Sequence, residues 1–353
     1  MDFLIIGAGV LGSLYALRLH EAGHKVTLLA RGQRLEDLRQ HGLTLENAET
    51  GEQNTAQVRL IEALPPNETF DWALVVLRKN QVASVLPALA ANQAIPNIAF
   101  LVNNAAGAGE MVAALGAERV VLGFPGGGGR REGALVRYRQ TPRNTQPTTL
   151  GELDGQPSLR LHRLANALEG AGMPVAICDN MDAWLKTHVA LVSPMANAIY
   201  AAGGDNHRLA RTRDGLTLMV RAVREGLQVL EAMRVPITPA RIKILKWIPE
   251  PLIVAVLQRS LGSERALLLL ASHANAARDE MTTLADEFQA LARRSGLPTP
   301  NLDRLYAYTS PSLLAMPEGA AQLPLDWRGV WAAAGLLTAS VVLLGWLGSR
   351  KKQ

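Results

Sequence analysis

Apolar positions open the chain as an unbroken run, Phe3 to Ile6, too short for anything but a buried strand, and Gly7-Ala8-Gly9-Val10-Leu11-Gly12 follows at once. Strand, G-x-G-x-x-G and helix in that order are what a dinucleotide-binding βαβ unit requires. Gly7 permits the tight turn and Gly9 lets the backbone approach a pyrophosphate. Gly12 lets the next helix pack closely, with its free N–H groups facing the anion. From Ser13 to Ala22 the apolar spacing becomes helical, Gly23 stops it, and Lys25 to Ala30 gives a second strand. Leu35 to Gln40 starts a helix that Gly42 breaks, and short segments follow around 43–45 and 58–61. Trp72 to Leu77 and Ile98 to Val102 are continuous apolar strands of the kind buried on both faces. Glu110 opens a helix and Val120 to Phe124 is another strand. Gly126 to Gly129 reads as a flexible connection, because no strand-glycine-helix order surrounds it. A helix from Leu159 to Leu168 and a strand from Val175 to Cys178 close an amino-terminal Rossmann-type parallel-sheet domain over 1–179.

An all-helical substrate and catalytic domain is expected over 180–308. A linker follows over 309–326, punctuated by Pro311, Pro317, Gly319 and Pro324. From Gly329 to Ser349 there is no charge. At about 1.5 Å per residue that run spans about 31 Å as a helix, enough to cross a hydrocarbon core. Trp327, Trp331 and Trp346 lie near its ends, and Arg350, Lys351 and Lys352 close it. Residues 327–349 are therefore expected as a single carboxy-terminal transmembrane helix, with the enzyme domain in the cytoplasm. The alternative is a terminal helix buried in a domain or dimer core.

The end of the second strand reads the adenosine ribose. An acidic residue there would bond the 2′-hydroxyl of NAD, but this chain has Arg31, with Arg34 three residues on. A guanidinium suits a 2′-phosphate, so the expected cofactor is NADPH. In an open parallel sheet the strand ends line the crevice, which places Arg78 and Asn104 near that cofactor. A formal net charge of +5 over 353 residues comes from scattered Lys and Arg, which argues against a nucleic-acid partner. The single cysteine, Cys178, excludes an internal disulfide. Seven histidines without H-x-x-x-H or Cys/His clustering give no expected metal site.

With these motifs in order, the chain resembles the ketopantoate reductase (2-dehydropantoate 2-reductase) family from Met1 to about Tyr308. The resemblance rests on the fingerprint, Arg31-Gly32, a strand ending in a basic residue before Gln81, and Asn104 with Gly107 and Glu110. It continues through Trp184-Leu185-Lys186, Asp279-Glu280, Ala292-Arg293, Gly296, Pro300 and Arg304-Leu305. It implies transfer of an NADPH hydride to the ketone carbon of a 2-oxo acid. Lys186 would be the general acid, with Asn104 and Glu280 ordering the site. Gly7, Ala8, Gly9, Val10, Leu11, Gly12, Arg31, Arg78, Asn104 and Glu280 would hold the cofactor.

The departures concern substrate grip. Where the family places asparagines four and eight residues after its lysine, this chain has Ala190 and Pro194, and Leu268 replaces a serine twelve residues before the glutamate. Ser193 and Asn197, seven and eleven residues beyond Lys186, fall about 20° to either side of it on an ideal helix. Together with Lys186 and Ser272 they are the candidate substrate-binding residues; His273 is a further polar neighbour. A small carbonyl compound is the expected substrate, and a homodimer is compatible with the chain. A dinucleotide-binding sensor or assembly protein without turnover, and an opine-type dehydrogenase, remain alternatives.

Overall fold

The computed structural model describes residues 1–263 and 271–330. Among these residues the amino-terminal half contains strands β1 (Asp2–Ile6), β2 (Lys25–Leu29), β3 (Leu43–Asn47), β4 (Gln53–Ala56), β5 (Arg59–Ile61), β6 (Trp72–Val75), β7 (Ile98–Leu101), β8 (Val120–Phe124), β9 (Gly127–Glu132), β10 (Leu135–Gln140), β11 (Thr148–Gly151) and β12 (Val175–Ile177). Helices α1 (Val10–Glu21), α2 (Gly32–His41), α3 (Leu86–Ala91), α4 (Gly109–Leu115) and α5 (Leu159–Gly170) connect them. The main sheet runs β12-β11-β8-β7-β6-β1-β2-β5. Pairing is parallel except between β8 and β11. Its centre is dry because its strands are apolar on both sides. Phe3 and Ile5 join the core under α1 and α5, while Leu4 and Ile6 join the core under α3 and α4.

The order of strands reverses between β1 and β6. In such sheets the crevice at the strands' carboxyl ends, at this reversal, is the ligand site.

A second sheet, β4-β3-β10-β9, lies against α1. Here the structure differs from the sequence expectation. The glycine run read as a flexible connection is the start of β9, paired antiparallel with β10 from Gly127↔Gln140 to Glu132↔Leu135. Glycine serves close approach there: a Cβ on Gly129 would lie 3.0 Å from Val10 Cγ1, and one on Gly127 3.3 Å from Leu11 Cδ2.

The carboxy-terminal lobe is built on α6 (Met181–Ala201), with α7 (Asn206–Arg211), α8 (Arg213–Ala232), α9 (Glu250–Leu261), α10 (Ser272–Ala276), α11 (Arg278–Ser295) and α12 (Pro300–Tyr306) around it. Its core joins Val189, Ile199, Leu216, Val229, Leu284, Phe288 and Leu302. The stretch expected as a linker is held on this lobe. Met316 is buried, Asp214 accepts from the N–H groups of Gln322 and Leu323 (both 2.9 Å), and Glu250 accepts from that of Asp326 (2.9 Å). Buried carboxylates reaching backbone donors in this way fix a segment that proline and glycine spacing alone marked as free.

The expected membrane localisation is corrected. Among the described residues no helix is long and apolar enough to cross a membrane. The longest, α6, has 21 residues, but it carries Asp182 and Lys186 and is packed inside the lobe. The span expected over 327–349 lies, from residue 331 onward, outside the described residues.

Candidate functional site

The fingerprint forms at the β1 carboxyl end. Gly7 takes φ +115°, and a Cβ there would come within 2.3 Å of the Val76 carbonyl oxygen, so the turn abuts the end of β6. At Gly12 a Cβ would come within 1.8 Å of the Gly7 carbonyl oxygen, the close helix-to-strand contact that only glycine permits. Gly9 differs: nothing lies within 4 Å of its would-be Cβ. It stands at the N-cap of α1 with no side-chain cap, and no acidic residue occupies the first turn. A helix N-terminus with unsatisfied N–H groups beside open space fits a pyrophosphate, so Gly7 to Gly12 are suited to the dinucleotide.

Arg31 and Arg34 have different surroundings. Arg31, exposed at the N-cap of α2, donates from Nε to the Glu62 carbonyl (3.2 Å). Arg34 is buried and donates to the carbonyls of Ala8 (3.0 Å) and Ala134 (2.9 Å) and to Ser13 Oγ (3.1 Å). It fastens the fingerprint to the β9–β10 turn, and burial lowers its pKa, assisted by the nearby Arg131 charge.

Asn104 folds back on its own turn, donating from Nδ2 to the Gly107 carbonyl (2.8 Å) and accepting from the Gly107 N–H (3.1 Å). This turn meets Lys186: a Cβ on Gly107 would lie 3.9 Å from Lys186 Nζ and 3.3 Å from Asp182 Oδ1. Lys186 projects from the second turn of α6, largely buried, and donates to Asp182 four residues before it. Lys186 and Asn104 are thus brought to the same edge of the crevice.

Glu280, on α11, is buried and accepts from the Lys79 N–H (3.2 Å) and from Asn103 Nδ2 (3.1 Å). Arg78 donates to Asp279 Oδ1 (2.9 Å) and to the Ala276 carbonyl (2.7 Å), which places it in the seam between the lobes. Burial opposes ionisation of Asp279, but the hydrogen bond from Asn80 and the adjacent Arg78 guanidinium outweigh it and hold the carboxyl below its usual range. Ser272 opens α10, which reaches from β9 to this seam, and Tyr200 at the end of α6 secures α10 by donating to the Ala274 carbonyl (2.6 Å). Ser193 and Asn197 are buried farther along α6, about 10 and 16 Å from Lys186 by helix rise. Asn197 keeps a buried Oδ1 without a hydrogen-bond partner.

Several residues at this seam escaped the sequence reading. Asn103, rather than Asn104, reaches Glu280, and its own Oδ1 is buried without a partner. Lys79 Nζ is buried between Glu287 (3.5 Å) and Glu110 (3.6 Å). Glu287 also accepts from the N–H groups of Ala105 (2.8 Å) and Ala106 (3.1 Å). One signal was available for Glu287: it lies seven residues after Glu280, on the same helix face.

A cavity of 480 Å³ lies elsewhere, lined by Arg221, Arg224, Glu225, Glu250, Asn301 and Arg328. Its main charges are already spent: Arg221 makes a paired contact with Glu250 (2.9 Å twice), and Glu225 accepts from Leu302 N–H (2.8 Å). This is fold-holding chemistry, so the crevice is the better candidate site.

Fold and crevice together define a two-lobed protein of the dinucleotide-binding α/β class. Residues 3–155 match the family model described as Ketopantoate reductase PanE/ApbA, so the resemblance to the ketopantoate reductase family stands, carried at sequence level by the amino-terminal lobe. Lys186 and Glu280 lie beyond the matched span. No curated protein matches the chain at sequence level. Among solved structures, 2-dehydropantoate 2-reductase from Geobacter metallireducens GS-15 is 17% identical with a TM-score of 0.71, covering 88% of this chain and 99% of that one. The PanE/ApbA family ketopantoate reductase from Ralstonia eutropha JMP134 is 21% identical with a TM-score of 0.70, covering 88% and 97%. A D-mandelate dehydrogenase with NADH and anilino(oxo)acetate is 16% identical with a TM-score of 0.71, covering 88% and 97%. At these identities the likeness establishes the fold.

Proposed function

We propose that this chain is an NADPH-dependent reductase that converts a 2-oxo acid or related ketone to the 2-hydroxy compound, with Lys186 as general acid. The observation that carries it is the placement of the Lys186 ammonium beside the Asn104–Gly107 turn, at the edge of the crevice that the fingerprint opens. The family match over the amino-terminal lobe supports the same chemistry. Gly7 to Gly12 would hold the pyrophosphate and Arg31 the 2′-phosphate, and the bound coenzyme supplies the hydride.

The chain's own residues do the rest. As negative charge builds on the substrate oxygen, Lys186 Nζ can stabilise it and deliver the proton. Asp182 orients that ammonium from the preceding helical turn. Asn104 shapes the turn beside it. Glu280 acts through Asn103 and the Lys79 N–H, holding the strand ends against α11. In place of an asparagine grip, Ala190 and Pro194 put apolar groups on α6, and Ser193 and Asn197 are the polar groups on the Lys186 side of that helix. The anilino(oxo)acetate of the D-mandelate dehydrogenase neighbour suggests a ketone with an apolar substituent.

Lys186→Ala tests the assignment. kcat for NADPH-dependent reduction should fall by about 10² to 10⁴, while the Kd for NADPH changes less than about threefold. Undiminished turnover removes Lys186 from the mechanism. NADPH binding without turnover on any 2-oxo acid by the unaltered chain would instead favour a sensor.

A further inference from the structure

The glycine-rich edge strand carries more than a packing role. Its pairing with β10 is continuous from residue 127 to 132, so alternate residues share a face. Gly127 and Gly129 press on Leu11 and Val10, in the first turn of α1. Arg131 is the next residue on that same face, beyond the glycines, and its cross-strand neighbour Val136 is fully buried. The strand is therefore laid so that its guanidinium emerges at the rim of the fingerprint. Arg34 fixes this arrangement, since one guanidinium bonds Ala8 in the fingerprint and Ala134 in the turn that follows Arg131.

The charges of the hairpin separate into two groups. Arg130 is paired with Glu132 (2.6 Å), and Arg137 with Glu46 (3.1 Å). Arg131 is exposed and forms no ion pair among the described residues, and neither do Arg31 and Arg34. Arg31 and Arg34 from α2 and Arg131 from the hairpin thus stand on the α2 side of the fingerprint with no ion pair, and Asp37 is the acid whose charge is felt at Arg34. Like charges held together this way raise the energy of the empty site and lower it when an anion enters. The repulsion is felt within the protein, where Arg131 contributes to lowering the pKa of Arg34.

We infer that Arg131 is the second cation of the 2′-phosphate site, reaching from the β9–β10 hairpin toward the anion that Arg31 meets from the N-cap of α2. Arg34, spent on backbone carbonyls, positions both. The pyrophosphate needs no such help, because the α1 N-terminus meets it with backbone N–H groups. The inference rests on the NADPH reading above and makes the hairpin part of coenzyme selection.

Coenzyme titrations of the full chain, read by fluorescence or calorimetry, test it. Arg131→Ala should raise the Kd for NADPH at least tenfold and change that for NADH less than twofold, with Arg131→Lys between Ala and the unaltered chain. Equal weakening of both coenzymes would assign Arg131 to the shared pyrophosphate and overturn the inference, as would an unchanged NADPH Kd. An unaltered chain that binds NADH as tightly as NADPH would overturn the NADPH reading itself, an outcome visible before any variant is made. Since Arg131 is exposed, an unaltered Tm is expected for both variants, which separates lost binding from lost folding.

Discussion

The two sides of the crevice are made of different materials. The fingerprint side is backbone geometry: a positive φ at Gly7, a helix pressed to within touching distance at Gly12, and open space at Gly9. The facing seam is side-chain charge: Arg78 on Asp279, Lys79 between Glu287 and Glu110, and Asn103 on Glu280. The first is written within twelve consecutive residues. Apart from the Lys79 contact with Glu110, the second is assembled across sequence separations of 177 to 208 residues. Local geometry is specified by residue type, whereas a seam of ion pairs is specified only by the fold that brings the partners together.

The sharpest way to break this contrast is Gly12→Ala. If backbone contact governs the fingerprint side, the added methyl cannot be placed, and unfolding in urea should show a loss of at least about 4 kcal/mol or no folded protein at all. Tolerance of the Gly12→Ala change would mean that α1 can slide. Next comes Glu287→Ala, which leaves the Ala105 and Ala106 N–H groups without their acceptor and the Lys79 ammonium with Glu110, half-exposed, as its remaining carboxylate. A loss of about 3 kcal/mol is expected in the same measurement. A cost below about 1 kcal/mol would show that water replaces the seam.

Gly9→Ala sharpens the comparison from the other direction. The methyl points into empty space and the backbone there, φ −74°, suits alanine, so stability should stay within about 0.5 kcal/mol. Dinucleotide affinity should nevertheless fall about tenfold, equivalent to about 1.4 kcal/mol, because the methyl occupies the anion's approach. The smallest effect is assigned to Asp279→Asn, under about 1 kcal/mol for a half-exposed ion pair. Its pH dependence carries the information. The folded pKa of Asp279 lies below its ordinary value of 3.8, so its contribution is complete above 3.8 and disappears as pH falls through the lowered value. The stability difference between Asp279→Asn and the unaltered chain should therefore vanish in acid and be constant at neutral pH; a difference that persists in acid would place the contribution elsewhere.

The same division explains what the sequence reveals. β1, the glycine turn, α1 and β2 are legible because apolar period and glycine spacing act over a few residues. The β4-β3-β10-β9 sheet is not, since Gln53–Ala56 and Gly127–Glu132 carry neither apolar alternation nor high strand propensity and become strands by pairing and by leaning on α1. Asn104 is visible by its place after a buried strand, but Asn103, the residue that meets Glu280, needs the position of α11 to be noticed. Lys79 shares with Arg78 the signal of following a buried strand, but its burial between two carboxylates is a property of three separate elements and has no local mark. The 309–326 stretch shows the limit of punctuation: proline and glycine mark where helices end, and Asp214 and Glu250 decide whether the chain beyond them is held.

Held in this way, residues 316–326 matter for biosynthesis. The backbone partners of Asp214, the Asp326 N–H that Glu250 accepts beside its pair with Arg221, and the side chain that fills the Met316 pocket are all supplied only when this stretch has left the ribosome. A nascent polypeptide halted near Tyr308 would hold α6 to α12 yet lack this clasp. Protease resistance of α8 should appear late in translation, as one step, when Asp326 emerges.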